Sequence, residues 1–144
     1  MTKYLGIALI VLALGIGILP HYTTCQSQGK SIALANGKTV PMKCNWTAQS
    51  EIAVAVPIGA VGVTSLFTRR KEGKRNLAVM GIVLGAFAIA LPNNLIGVCS
   101  AGSMGTSPLC NTVMKPSLIG MGALVSAGSL VGLVMSMRKK DTDL

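Results

Sequence analysis

Few side chains in this 144-residue sequence can do chemistry: four cysteines (Cys25, Cys44, Cys99, Cys110), one histidine (His21) and four carboxylates. A thiol-redox centre needs a low-pKa thiolate, usually from a Cys-x-x-Cys pair. The cysteines here are spaced 19, 55 and 11 residues apart, so that pair is missing. A metal or haem site needs convergent ligands, and His21 with Met104 and Met114 is a thin set even for a soft metal. Hydrolysis needs a nucleophile beside a base. Ser126 and Ser129 have no histidine or carboxylate near them in sequence, so back-bonding to their own helix is expected. The residues thus describe a non-enzymatic chain with no metal centre and no cofactor.

The elements that would carry these residues are apolar. Hydrophobic residues make up 51% of the chain, charged ones only 12% and aromatics 3%. That excludes a disordered chain, a solvated coiled coil and an ordinary soluble enzyme. Four segments lack charge: 4–20, 52–68, 76–98 and 116–137, of 17, 17, 23 and 22 residues. About 20 helical residues cross a hydrocarbon core, with about 17 as the lower limit. The two short spans must therefore borrow flanking residues, stand upright or thin the bilayer. Four buried helices of a soluble bundle would each show a charged stripe at helical spacing, and none does. The first span resembles a signal peptide only in Lys3 and its apolar run. No small-x-small cleavage site follows it, so it is read as a retained helix. Pro92-Asn93-Asn94 is expected to bend or break the third span near its outer end.

Basic residues of short loops stay cytoplasmic. Lys3, the 69–75 loop (Arg69, Arg70, Lys71, Lys74, Arg75) and Arg138-Lys139-Lys140 place nine on one side, against Lys30, Lys38, Lys43 and Lys115 on the other. This predicts both termini in the cytoplasm, with loops 21–51 and 99–115 outside the cell membrane. The net charge of +9 is thereby explained by topology and by contact with anionic lipid, and no basic-aromatic interleaving points to nucleic acid. All four cysteines fall on the outer side, where disulfides persist. Cys25–Cys44 with Cys99–Cys110 would close each loop on itself. Cys25–Cys99 with Cys44–Cys110 would tie the two loops together. Loops of roughly 15 residues gain about 3 kcal/mol from such a closure.

The first outer loop is too long for a simple turn. Residues 31–35 and 38–42 flank Asn36-Gly37, which predicts a β-hairpin with a type I′ turn. Pro41 restricts the second strand to an edge or an end. An isolated hairpin is marginal in water, so it should pack on the second outer loop or on a partner. Trp46, the only tryptophan, precedes the second span and reads as an interfacial anchor. Asn45-Trp46-Thr47 also matches the glycosylation pattern. Glu51 sits at the start of the apolar span, where it is expected to complement the helix dipole, with Ser50 or Thr47 as N-cap. Pointed inward it would instead be a functional residue.

The run Met42–Glu51, with Leu95-Ile96-Gly97-Val98-Cys99 and the later Cys110-Asn111 and Lys115-Pro116, resembles the prokaryotic membrane proteins of domain-of-unknown-function family 4418. The resemblance covers most of the chain and implies the same four-span plan. It brings no established activity. It implies histidine between the Cys and Trp of the motif, where this chain has Asn45, and so weakens any role there as a ligand or proton carrier. The partner it suggests is a membrane transporter of the ABC type.

Small residues crowd the spans. Gly81-x-x-x-Gly85 and Gly128-x-x-x-Gly132 are faces on which helices approach closely in lipid, joined by Gly15, Gly17, Gly59, Gly62 and Gly120. The expected fold is therefore all-α: a four-transmembrane-helix bundle carrying a small disulfide-stapled extracytoplasmic β-hairpin subdomain, in one domain over 1–144. The expected function is that of an accessory subunit of a membrane transporter complex. It would dock on a larger membrane protein, an ABC transporter permease being one such partner, through the glycine faces and the Asn45–Trp46–Glu51 region. The alternatives are a thiol-dependent membrane oxidoreductase and a homo-oligomeric channel or carrier. The absence of polar residues from mid-membrane counts against the last.

Overall fold

The computed structural model describes residues 2–24, 29, 31–41, 43–97 and 110–138; the side chains of Thr2 and Cys110 are outside that description. Four helices are long and apolar enough to cross a membrane: α1 (Thr2–Thr23), α2 (Lys43–Phe67), α3 (Lys71–Ala90) and α4 (Lys115–Arg138). In lipid only a helix or a closed barrel satisfies every backbone group internally, and these residues, rich in Ala, Leu, Val and Gly, take the helical solution. Two π-helical turns sit at one end of the bundle. Leu91–Leu95 extends α3, and Cys110–Met114 leads into α4.

Helix α1 packs mainly on α2, and α3 mainly on α4; the α2–α3 and α1–α4 seams close the ring. Each helix buries one narrow stripe at alternating spacings of three and four. The positions are 6, 9, 13, 16 and 20 in α1; 44, 48, 51, 55, 58 and 62 in α2; 78, 81, 85 and 88 in α3; and 118, 122, 125 and 129 in α4. This is the seam of helices crossing at a shallow angle. Leu9, Ile16, Ile58, Leu118 and Val125 fill its middle. Lipid tails are as apolar as leucine, so close van der Waals packing holds the seams together.

The α-helices extend beyond the apolar spans. Helix α2 starts at Lys43, nine residues before position 52, so Cys44, Asn45, Trp46 and Glu51 lie on a helix and not in a loop. Lys43–Glu51 contains no glycine or proline to interrupt it. Its polarity does not change its conformation. At the other end, α3 starts at Lys71 after the extended residue Arg70, with Glu72 in its first turn, where a negative charge favours the dipole. Only residues 68–70 remain as a link. Thr68 closes α2 by donating its Oγ1 hydrogen to the Thr64 carbonyl at 2.7 Å.

The break expected at Pro92 is present as the π turn. It ends where the Ile96 and Gly97 N–H groups both donate to the Leu91 carbonyl, each at 3.1 Å. Gly97 has φ of 77°, a left-handed conformation that terminates the helix and favours glycine.

The hairpin is also present, as β1 (Ile32–Ala33) and β2 (Thr39–Val40) in antiparallel register, Ile32 opposite Val40 and Ala33 opposite Thr39. Its turn is not type I′. Gly37 has positive φ but Asn36 does not. Gly37 N–H donates to Leu34 O at 3.0 Å and Leu34 N–H to Lys38 O at 2.9 Å. That is the three-residue hairpin loop, a type I turn followed by a left-handed glycine. Asn36 is spared the φ > 0 that type I′ would demand of it. All four strand residues are exposed. Residues 99–109 of the second outer loop, on which the hairpin was expected to pack, lie outside the described residues.

Candidate functional site

The hairpin end of the bundle collects the polar residues. Along the inner stripe of α2, one turn apart or nearly so, stand Cys44, Thr47, Ala48 and Glu51, all buried. Thr47 is fully enclosed and donates its Oγ1 hydrogen to the Gly97 carbonyl at 2.7 Å, with a longer contact to the Lys43 carbonyl at 3.3 Å. The left-handed turn at Gly97 therefore aims its carbonyl at α2 and ties the end of the α3 extension to the start of α2.

Glu51 is 0% exposed, and neither Oε1 nor Oε2 has a hydrogen-bond partner. The expected dipole-capping role is overturned. Glu51 lies nine residues into α2, in register with the apolar seam, and points into the bundle. Thr47 and Ser50 do not serve as N-caps either. Ser50 Oγ donates to the Trp46 carbonyl at 2.9 Å, one turn back within the same helix. The cause is again the earlier helix start, which moves every residue of 43–51 from a terminus to an interior position.

The other elements at this end of the bundle bury apolar or soft side chains. Met114, Leu118, Leu91, Pro92, Ile16 and Pro20 are buried. Asn93 and Asn94 of the π turn face outward, and Asn93 Nδ2 donates to the Ile89 carbonyl at 3.1 Å.

The other residues singled out in the sequence scatter. Trp46 is exposed and Asn45 half-buried, both on the outer faces of α2. His21 and Tyr22 are exposed and meet edge to face at 5.6 Å between ring centroids. Cys44 is buried, Cys110 is described in its backbone only, and Cys25 and Cys99 lie outside the described residues, as does Met104. Among the described residues no group of three or more His, Cys, Asp or Glu converges on one point.

The glycine faces divide. A Cβ at Gly85 would lie 2.9 Å from the Gly122 carbonyl, and one at Gly122 3.0 Å from the Gly85 carbonyl, so the two backbones touch. Gly81 abuts Ser129 in the same seam. The α4 half of that seam is therefore Gly122–Ser126–Ser129, not Gly128–Gly132. Gly128 faces open space, and Gly132 meets only Leu5 of α1, at 3.4 Å. Ser129 does not bond back to its helix: its buried Oγ has no partner, because the Gly81 surface it faces offers none. The α1–α2 seam repeats the device. The Gly6 carbonyl lies 3.2 Å from a Cβ at Gly62, while Gly17 and Gly59 face Ala55 and Ala13 at 3.5 and 3.7 Å.

Sequence reasoning missed Gly122 and Gly6, and read Thr47 only as a candidate N-cap and Gly97 only as part of a motif. The three-and-four spacing 44, 48, 51, 55, 58 and 62 carried the signal that Glu51 belongs to the inner stripe of α2.

On its outer side the α1–α2 pair leaves an apolar groove of about 490 Å³, floored by Ala13, Gly17, Ala55 and Gly59, with His21 and Tyr22 at the hairpin end. What the site can do chemically is narrow: among the described residues it brings together the Glu51 carboxyl, the Thr47 hydroxyl, the Cys44 thiol and the Gly97 carbonyl. No curated protein and no solved structure matches the chain. Residues 4–135 match the family model described as a domain of unknown function (DUF4418), and the chain belongs to that family.

Proposed function

We propose that this chain is a non-enzymatic accessory subunit of a larger membrane complex, most specifically a transporter of the ABC type. It sits in the cell membrane with both termini and the 68–70 link cytoplasmic and the hairpin outside. The observation that supports docking is the α1–α2 groove. Small residues make its floor and large apolar residues, among them Leu14, Ile18 and Val56, make its lips. Such a surface accepts a helix from a permease at close range. The charge asymmetry of nine basic residues against four supports the orientation. At the hairpin end, a staple from Cys25 to Cys44 and a second from Cys99 to Cys110 would each close one loop on itself.

The test is the composition of the native complex in mild detergent. A larger assembly that loses this chain when Val56→Trp fills the groove supports the proposal. A monodisperse species of this chain alone overturns it. Alkylation with and without reductant checks the staples. Four cysteines that react only after reduction support them and exclude the thiol-dependent oxidoreductase.

A second reading, a homo-oligomeric carrier, gains from Glu51. The sequence argued against it for want of polar residues in mid-membrane, and a buried carboxyl inside the helix 43–67 weakens that argument. Flux in liposomes holding only this chain would support it.

A further inference from the structure

Glu51 has a property that docking does not use. It is the only carboxylate outside the basic end of the chain; Glu72, Asp141 and Asp143 all lie beside Lys and Arg runs. It occupies a seam position that packing alone would give to alanine or leucine, between Ala48 and Ala55 of the buried stripe. A charged carboxylate in such a medium costs several kcal/mol unless something compensates it. Nothing on the protein does so among the described residues: both oxygens lack a hydrogen-bond donor.

The charged and titratable groups of the surrounding elements are few. On α2, Lys43 is exposed at the helix start and Cys44 is buried two turns before Glu51. On α1, His21 and Tyr22 point outward. On α4, Lys115 is half-buried beside Met114. The π turn 91–95 holds none, and Lys38 of the hairpin is exposed. The segment 98–109 contains no Lys, Arg, Asp or Glu. Among the described residues, the buried hydroxyl residues at this end are Thr24 and Thr47; Thr47 lies one turn from Glu51 on the same face and is bonded to the Gly97 carbonyl.

We propose that Glu51 is the binding site for one monovalent positive charge, a proton or an alkali ion, taken up inside the bundle at its hairpin end, with the Thr47 hydroxyl as the adjoining oxygen. The exchange makes and breaks only the contact at the carboxylate oxygen. The charge enters and leaves unreduced, and no other bond changes. A buried carboxyl without a donor is costly as an anion, and binding one positive charge offsets that cost. The proposal stands apart from docking: a chain that purifies alone can still bind the cation, and a docked subunit can lack it.

Full-length protein in lipid nanodiscs tests it, through a linkage: whatever binds only the folded state stabilises it in proportion to its concentration. Thermal unfolding is followed while sodium or potassium replaces an inert organic cation at fixed pH, and separately while pH is varied at fixed ionic strength. Infrared spectra report the C=O stretch of a protonated carboxyl. An alkali-dependent rise in melting temperature that Glu51→Gln abolishes and Thr47→Val weakens identifies an alkali ion. A pH-dependent carboxyl band and melting shift, both lost in Glu51→Gln, identify the proton. Identical alkali and pH responses of wild type and Glu51→Gln, with no band assignable to Glu51, overturn the proposal. So does the appearance of either response only in Lys115→Gln or Lys30→Gln, since a lysine would then be the permanent partner.

Discussion

Glu51 and Thr47 stand four residues apart and have opposite energetic standing. Thr47 is satisfied. Removing its hydroxyl by Thr47→Val leaves the buried Gly97 carbonyl without its donor, and a lost neutral hydrogen bond costs about 1 kcal/mol. Thr47→Ser keeps the donor and should recover most of that loss, as read by thermal or detergent unfolding. Glu51 is unsatisfied. Glu51→Leu removes a buried polar group with no partner and fills the seam with apolar volume, so it should stabilise the bundle by about 1–3 kcal/mol. A loss of stability in Glu51→Leu would show that the carboxyl has a partner in the native membrane. Residue identities at this end were legible in the sequence, but their roles were not. Cys44, Trp46 and Glu51 were picked out by type, while Thr47 was passed over because a threonine next to a span reads as a cap. Only the start of α2 at Lys43 turns that cap into an interior donor.

At the scale of elements, two helix pairs are sealed by glycines whose neighbours are backbone atoms. Gly85→Ala places a methyl group against the Gly122 carbonyl, which cannot rotate away. We expect a loss of about 1–3 kcal/mol, the cost of overpacking a close seam. Gly128→Ala meets nothing within 4 Å and should be neutral or stabilising by up to about 1 kcal/mol, from helix propensity. Equal effects of the two substitutions on unfolding in detergent would put the seam elsewhere. The sequence offered Gly81/Gly85 and Gly128/Gly132 as equivalent motifs. A spacing of four places residues on one face but does not say which face a neighbour covers, and α4 turns its Gly122–Ser126–Ser129 side to α3. The end of the α3 extension gives a second test. Gly97→Ala forces a Cβ into a left-handed conformation, which costs roughly 1–2 kcal/mol, and it displaces the carbonyl that Thr47 holds. Gly97→Ala and Thr47→Val should therefore be less than additive in a double-mutant cycle.

For the whole molecule, the four helices form a ring whose inner seams are narrow and whose outer surface is large and apolar. Tyr4, Val11, Val56, Phe67 and Leu124 are each more than half exposed. In water that surface would aggregate; in a bilayer it is the lipid-facing wall. The proposed orientation gives a direct expectation. A cysteine placed at Ser31 in the hairpin, on a background whose native cysteines are blocked, should react with a membrane-impermeant thiol reagent from outside intact cells, and one placed at Arg70 should not. The reverse pattern would invert the assignment of Glu51 to the outer side while leaving the bundle unchanged.

Sequence alone determined the solvent, the number of spans, a break at Pro92 and the presence of a hairpin around Asn36-Gly37. Each depends on quantities that are local: apolar length against bilayer thickness, a missing backbone donor, a residue that tolerates positive φ. It did not determine where α2 begins, which glycines meet, the turn type of the hairpin or where Glu51 points. Those depend on which helices become neighbours and at what rotation. A hydropathy profile records how dry a segment is, and in a bundle with small side chains on every face, many rotations are equally dry. Backbone contact between Gly85 and Gly122, and between Gly6 and Gly62, selects one of them. That selection carries a carboxyl from the edge of an apolar span into its interior.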